Sequence, residues 1–417
     1  MKILYFHQYF STPAGSTGTR SYEMARALVQ AGHEVTMVCG GSARSTSGLK
    51  VPFKKGRRTG MVEGIQVIEL EIAYSNYLNF IQRSWIFFQF ALRSIWIALR
   101  EPYDLVFATS TPLTAGIPGI VARWLRQKRF VFEVRDLWPE LPKAMGVITN
   151  PLIIGLMSAL EWGSYRSAHA CIGLSPGIVE GIRTRSSEGL HIDLIPNGCD
   201  FDLFSASDIA PKRPKNVNAT DLLAVFAGAH GMANGLDAVL KAAEVLKKRN
   251  RDDIKLLFIG DGKLKPELHR EAEKKELNNC LFLEPLPKQE IAAYLRGADI
   301  GLMILANIPA FYYGTSPNKF FDYLAAGLPV LNNYPGWITA MITEYSCGYA
   351  VEPNNPERFA DTLEHAADHR DTLQDMGKRA WELGDERFDR KQLAAQFVGI
   401  LEKTVGADSD TQGNQIK

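Results

Sequence analysis

Residues 222–235 read LLAVFAGAHGMANG. The apolar run Leu222–Phe226 is short and unbroken, as in a strand buried on both faces. Gly228, Gly231 and Gly235 then punctuate a turn, and a helical pattern runs over Gly235–Lys248. Strand, glycine-rich loop and helix in that order form the opening of a parallel β-α-β unit. The same order recurs on both sides of it. Downstream, strands are expected at Lys255–Ile259, Cys280–Leu283, Ile300–Met303 and Val330–Asn332, with helices at Lys265–Lys275 and Lys288–Leu295. Upstream, strands are expected at Ile3–Phe6, Glu34–Cys39, Leu105–Ala108, Phe130–Val134 and Ala170–Gly173, with a helix at Ser21–Ala31. Such alternation predicts parallel sheets covered by helices on both faces.

The pattern restarts near residue 220, after a polar stretch, Asp208–Thr220, that holds Pro211 and Pro214. A chain of 417 residues exceeds one ordinary core, so two domains are expected. The reading is an α/β protein of two Rossmann-like domains facing across a cleft. The domains span 1–207 and 221–385 and are joined by a linker at 208–220. A C-terminal helix at 386–406 crosses back to the first domain, and the polar tail 407–417 has the composition of a disordered segment.

Composition narrows the function classes. Hydrophobic residues make up 46% and charged residues 22% of the chain, as in soluble globular proteins. Met1 and Lys2 lead directly into ILYF, a strand rather than a secretory leader, so a cytoplasmic location is expected. The five cysteines (39, 171, 199, 280 and 347) form no CxxC pair, which fits reduced, structural thiols. No cluster of zinc-type ligands is visible, so no metal is expected. The net charge of +1 hides an asymmetry: residues 1–200 hold 21 basic and 15 acidic side chains, and the remainder hold 26 and 31. The basic half suits phosphates or an anionic membrane; no nucleic-acid partner is expected.

Open parallel sheets bind ligands in the loops at the carboxyl ends of their strands. The loop after the first strand carries Gly18 and Arg20 at the start of a helix, where glycine admits close backbone approach and the helix terminus favours an anion. FEVRDLWPE at 132–140 ends another strand with the charged pair Arg135 and Asp136 beside an aromatic residue. In 228–235, Gly228 and Gly231 offer close approach and His230 a hydrogen bond to phosphate or sugar. GDGK at 260–263 places Gly260, Gly262 and Lys263 one strand later, suited to a base or ribose edge, without the spacing of a phosphate-binding P-loop.

The most informative segment is SPNKFFDYLAAGLPV, 316–330. Ser316 suits a helix cap and Pro317 a first turn. Asn318 and Lys319 then lie at the helix end that carries about half a positive charge. Lys so placed opposes the dipole unless an anion is present, so a diphosphate clamp is expected. Asp322 falls one turn after Asn318 on the same face, where a carboxylate can accept the hydroxyls of a ribose.

Together these segments resemble the large family 4 of retaining glycosyltransferases with the GT-B fold. The likeness runs from MKILYFHQYF and GTRSYEMARALVQAGHEVTMV through LIPNGCDFDLF at 194–204 and FIGDGKLKPEL at 258–268 to SPNKFFDYLAAGLPV. It implies metal-independent transfer of a sugar from a nucleotide diphosphate, UDP-linked above all, with retained configuration. There are departures. Of two acids expected eight positions apart, Asp322 matches the second, the ribose ligand, and Gly314 stands where the first belongs. The family's Arg and Lys after the first strand of the second domain fall on Ala229 and Asn234. The usual His near the strand end at 136 is Asp136. GAHGMANG, PNKFFDYLAAG and VRDLWPE resemble a branch from bacterial surface-polysaccharide assembly (O-antigen or capsule) that includes transferases adding N-acetylfucosamine. In that branch Lys319 takes over charge neutralisation.

With no obvious nucleophile, front-face attack by the acceptor is expected, the leaving phosphate being stabilised by preorganised positive groups. Lys319, Arg135, Asp136 and His230 are the catalytic candidates. Gly18, Arg20, Gly228, Gly231, Gly260, Gly262, Lys263, Ser316, Pro317, Asn318 and Asp322 are the donor-binding ones. Residues 77–100 are aromatic and apolar but hold Arg83, Arg93 and Arg100, each costly at mid-bilayer at about 2.5–3.5 kcal/mol. An interfacial helix on the inner leaflet, receiving a polyprenyl-diphosphate-linked glycan, is expected; a core helix of the first domain or a dimer contact is the alternative for this segment. A nucleotide-sugar epimerase of similar fold and a non-catalytic nucleotide-binding subunit are the competing readings.

Overall fold

The computed structural model describes residues 1–42, 46–75, 78–204 and 209–406. The chain divides into two units. The first holds Met1–Pro196, the short piece Gly314–Ser316 and the residues from Lys391 onward; the second holds Asn197–Tyr313 and Pro317–Arg390. The tail 407–417, Asp208 of the linker and Tyr77 of the aromatic segment lie outside the described residues.

In the first unit, β1 (Lys2–Phe6), α1 (Arg20–Gln30), β2 (Glu34–Ser42), β3 (Arg57–Val62), β4 (Ile65–Tyr74), α2 (Phe80–Arg100) and β5 (Leu105–Thr109) come in turn. Then follow α3 (Ile117–Leu125), β6 (Arg129–Val134), α4 (Glu140–Ala144), α5 (Pro151–Ser167), β7 (Ala170–Gly173), α6 (Pro176–Arg185) and β8 (His191–Leu194). The sheet order is β3-β4-β2-β1-β5-β6-β7-β8, parallel except for the β3–β4 pair. Its inner strands β1, β5, β6 and β7 are buried on both faces because helices cover both. One face packs Phe90, Ile97, Phe130 and Tyr165; the other packs Tyr5, Tyr22, Leu28 and Phe107. Local sequence fixes the helix starts: Asn79 and Gln82 form a reciprocal capping box for α2, and Asn150 and Ser175 cap α5 and α6.

The second unit runs α7 (Phe201–Phe204), β9 (Leu222–Ala227), α8 (Asp237–Lys248), β10 (Ile254–Ile259), α9 (Lys265–Lys274), β11 (Cys280–Leu283), α10 (Lys288–Gly297) and β12 (Ile300–Met303). It continues through α11 (Pro309–Tyr313), α12 (Asn318–Ala325), β13 (Val330–Asn332), α13 (Trp337–Glu344), β14 (Gly348–Ala350), α14 (Pro356–Asp368) and α15 (Arg370–Phe388). Its six strands lie β11-β10-β9-β12-β13-β14, all parallel. The last helix, α16 (Arg390–Gly406), belongs to the first unit from Lys391 and sets Phe397 edge-on to Phe107 at 4.9 Å.

All ten expected strands form, with ends shifted by two or three residues at most. Among the described residues four further strands, β3, β4, β8 and β14, form beside them. The aromatic helix begins at Phe80, because its cap is Asn79.

Candidate active site

Both sheets reverse strand order at one point, between β1 and β5 in the first unit and between β9 and β12 in the second. Loops diverge there and leave a crevice at the carboxyl ends of the strands. Each unit gathers polar side chains at this place.

In the second unit α12 delivers Lys319 to the end of β9. Tyr323 anchors the helix: its hydroxyl donates toward the carbonyls of Val225 and Leu302, at 3.3 Å each, and accepts from the Ala227 amide. Gly301 makes room, since a Cβ there would sit 2.6 Å from the Tyr323 ring. The Lys319 ammonium donates to Asn234 Oδ1 at 2.7 Å and lies 4.2 Å from the centre of the Phe226 ring. Asn234 is itself oriented by donating to the Ala229 carbonyl. Burial holds the Lys319 ammonium down at about 7, since a cation out of water loses hydration.

Asp322, one turn along α12, pairs with Lys288 at 3.3 Å, and the Lys288 ammonium lies over the Phe204 ring. Asn318 is the first residue of α12, half-buried. The helix starts one residue later than expected. Pro317 is its N-cap and offers no side-chain bond, so Ser316 does not cap it.

The glycines divide by role. A Cβ on Gly228 would lie 3.2 Å from Lys319 Cε, so this glycine clears space for the lysine. Gly231 faces open space, half-buried. Gly260 and Gly262 were expected at a ligand, but both are taken up by packing of one loop on the other. A Cβ on Gly260 would meet the Gly228 oxygen at 1.9 Å, and one on Gly262 the His230 oxygen at 2.4 Å. Lys263 is exposed beside them. His230 was expected to offer a hydrogen bond to phosphate or sugar. Its imidazole is fully buried among the rings of Phe226, Phe258 and Phe282, at 6.0–6.5 Å.

In the first unit Arg135 and Asp136 follow β6 and reach the loops after β1 and β5, beside the switch point. Asp136 accepts from the Thr111 hydroxyl at 2.9 Å. Burial raises its carboxyl above the usual range, against the pull of Thr111 and Arg135. Arg135 NH1 lies 3.3 Å from His7 Nε2, and the Arg135 amide donates to Ser110 Oγ. Burial, then Arg135, drives the His7 pKa well below its ordinary value, so the ring is neutral and Nε2 accepts from the guanidinium. Gly18 lies half-buried just ahead of α1.

Arg20 was expected at a phosphate, and the structure spends it elsewhere. Its guanidinium grips Glu133 at 2.8 and 3.0 Å and donates to the carbonyls of Ile195 and Pro196. Both partners are sealed, with side-chain exposures of 3% and 0%. Burial raises the Glu133 carboxyl, but Arg20, with Arg135 and the Thr109 hydroxyl, holds it below the usual range. Sequence reasoning missed His7, Thr111, Asn234 and Lys288. His7 and Asn234 lay within segments already quoted, but all four are distant in sequence from the residues they touch.

Two Rossmann-like units with polar clusters at their switch points define the class: this is the GT-B fold. The likeness to solved structures bears this out. Sucrose-phosphate synthase of Thermosynechococcus elongatus superposes with a TM-score of 0.75 at 16% identity, covering 97% of this chain and 99% of the other. HepE of Anabaena in complex with UDP-glucose gives 0.67 at 14% identity, covering 97% and 100%. In sequence, residues 15–198 match the glycosyl transferase 4-like domain and residues 208–382 match glycosyl transferases group 1. The chain is therefore built of two glycosyltransferase domains. Among curated relatives, D-inositol 3-phosphate glycosyltransferase of Paenarthrobacter aurescens is 28% identical over 195 residues, 46% of each chain. TuaH of Bacillus subtilis, provisionally named as a teichuronic acid biosynthesis glycosyltransferase, is 28% identical over 181 residues, 43% of each. The chain spans about half the length of the curated relatives it matches.

Proposed function

We propose that this chain moves a sugar from a nucleotide-diphosphate sugar to a glycan or polyprenyl-diphosphate acceptor in surface-polysaccharide synthesis, without a metal and with retained configuration. The donor is UDP-linked and of N-acetylated amino or deoxyamino type, in keeping with the branch that VRDLWPE and PNKFFDYLAAG resemble. One observation carries the reading: the Lys319 ammonium sits at the start of α12 and at the end of β9, bonded to Asn234. Asn234 occupies the place where the family has a cation, so the lysine supplies from α12 the charge absent from the loop after β9. A diphosphate would meet Lys319 and the positive end of α12 together. Asp322, steadied by Lys288, takes the ribose hydroxyls.

The acceptor belongs to the Arg135–Asp136–His7 cluster of the first unit. Asp136 orients the attacking hydroxyl, and the leaving phosphate takes its proton in a front-face attack. The aromatic segment 77–100 brings the protein to the inner face of the cytoplasmic membrane, where a lipid-linked acceptor resides. That HepE has been solved with UDP-glucose, and with UDP and glucose, is consistent with a nucleotide-sugar donor. The test is thermal-shift screening of the purified protein against a panel of nucleotide sugars, followed by assay of donor hydrolysis. Stabilisation by one class of nucleotide sugar with slow release of nucleoside diphosphate is expected. No shift and no release with any donor would sink the proposal.

A further inference from the structure

Helices α2, α3 and α5 lie side by side on one face of the first unit's sheet. Arg126, just past α3, donates to the carbonyls of Ala98 and Glu101 at the end of α2. On the other side the Trp124 indole donates to Ser167 Oγ, the last residue of α5. The three helices are thereby fastened into one plate, whose inner side packs Phe90, Ala122 and Tyr165 into the core.

Its outer side is apolar. On α2, Ile81, Trp85, Phe88, Leu92, Trp96 and Leu99 are all exposed, by 41–77%. They recur every three or four residues, so they form one seam over the whole length of the helix. The seam is not confined to α2. Trp124 and Leu125 of α3 and Leu152, Leu156 and Trp162 of α5 are also exposed, by 58–71%. A monomer in water rarely shows an apolar patch of more than a few hundred Å², and eleven large side chains exceed that.

Charge identifies the occupant. The three helices carry Arg83, Arg93, Arg100, Arg123 and Arg166 and a single acid, Glu161. That acid is buried and bonded to the Tyr165 hydroxyl. Two of the cations stack on tryptophans of the plate: Arg100 lies 4.1 Å from the Trp96 ring centre and Arg123 5.5 Å from that of Trp124. A second copy docked by a two-fold axis would set this patch against itself, arginine facing arginine with no acid between. No helix among the described residues is long and apolar enough to cross a membrane. An apolar plate with tryptophans and arginines and no exposed acid suits the headgroup layer of an anionic bilayer.

We propose that α2, α3 and α5 form one composite surface that seats the first unit on an anionic lipid bilayer, α5 contributing as α2 does. This deepens the membrane reading given above, which rests on α2 alone. The experiment is vesicle flotation of the full chain with phosphatidylglycerol–phosphatidylcholine vesicles and with phosphatidylcholine alone. Wild type, W85E on α2 and L156E on α5 are compared, with donor hydrolysis as a separate readout. Wild type floats with the anionic vesicles, and each variant lowers the bound fraction by about tenfold or more while hydrolysis is unchanged. Lack of flotation with either vesicle, or an L156E variant that floats like wild type, overturns the composite surface. So does sedimentation showing a wild-type dimer that L156E breaks and that does not bind vesicles. Hydrolysis without flotation would leave the transfer chemistry standing, and flotation without hydrolysis would leave the plate standing.

Discussion

Lys319 donates to Asn234 across 85 positions of sequence, ammonium to amide oxygen at 2.7 Å, at the switch point of the second sheet. A half-buried cation with one neutral partner is costly to hold, and an incoming diphosphate would relieve that cost. Replacing Lys319 by Ala should therefore lower turnover about 100-fold or more, the scale found for a lost preorganised donor at a developing charge. Melting of the variant should be no lower than that of wild type. Steady-state kinetics beside a thermal melt check both; unchanged kinetics would remove Lys319 from the site.

The same burial gives a pH signature. In the free protein Lys319 titrates at about 7, and only the ammonium attracts a diphosphate. Donor affinity should be flat below pH 7 and weaken up to tenfold per unit as pH rises through 7, until the bound-state pKa is passed. Calorimetry at pH 8 in buffers of different ionisation enthalpy should register proton uptake on binding, and the uptake should vanish in K319M. The stability sign is separate. A folded pKa below the unfolded value means that the unfolded chain binds more protons between about 7 and 10.5. This lysine therefore makes the fold more stable as pH rises through that window.

Two glycines of neighbouring loops should respond differently. In G228A the new methyl meets the flexible end of Lys319 at 3.2 Å; donor affinity should drop several-fold with little change in melting. In G260A the methyl would lie 1.9 Å from the Gly228 oxygen, at a backbone φ of +141°. Loss of more than about 2 kcal/mol of stability is expected there, read by denaturant unfolding. A stable G260A that loses only donor affinity would return Gly260 to the ligand.

Arg20 serves the fold of the first unit. R20M leaves Glu133 charged and buried, which should cost about 3–5 kcal/mol; R20M/E133L should recover most of it. Nucleotide-sugar affinity of whatever fraction remains folded should be that of wild type. A stable R20M with weakened donor binding would show that the arginine meets phosphate after all.

Asp136 offers a carboxyl raised by burial and fixed by Thr111. D136N should lower acceptor-dependent turnover by about 100-fold while donor affinity stays put. Equal losses in donor binding and turnover would place Asp136 outside the acceptor role proposed for it.

Much of this was open to reading in one dimension. A buried parallel strand is apolar on both sides, so Leu222–Ala227 or Ile254–Ile259 declares itself without its neighbours. Strand β4, with Ile65, Val67, Ile68, Leu70 and Ile72 buried, carries a legible apolar signal as well. The short β8 and β14 are half-exposed and exist because β7 and β13 offer them backbone partners, which no local pattern announces.

The sequence by itself determined the two α/β domains, the loops at which function concentrates, and Lys319 and Asp322 one turn apart in register. Local periodicity and turn chemistry suffice for these. Only the tertiary structure decided what each polar group meets. Arg20 lies at the start of a helix in both readings, but long-range packing turns it onto Glu133, 113 positions away. His230 sits in a glycine-rich loop, yet its ring enters a cage made by three different strands. Lys288 reaches Asp322 from another helix. A charge in a chain has no fixed partner until burial removes its water, and which partner replaces that water is set by contacts far apart in sequence.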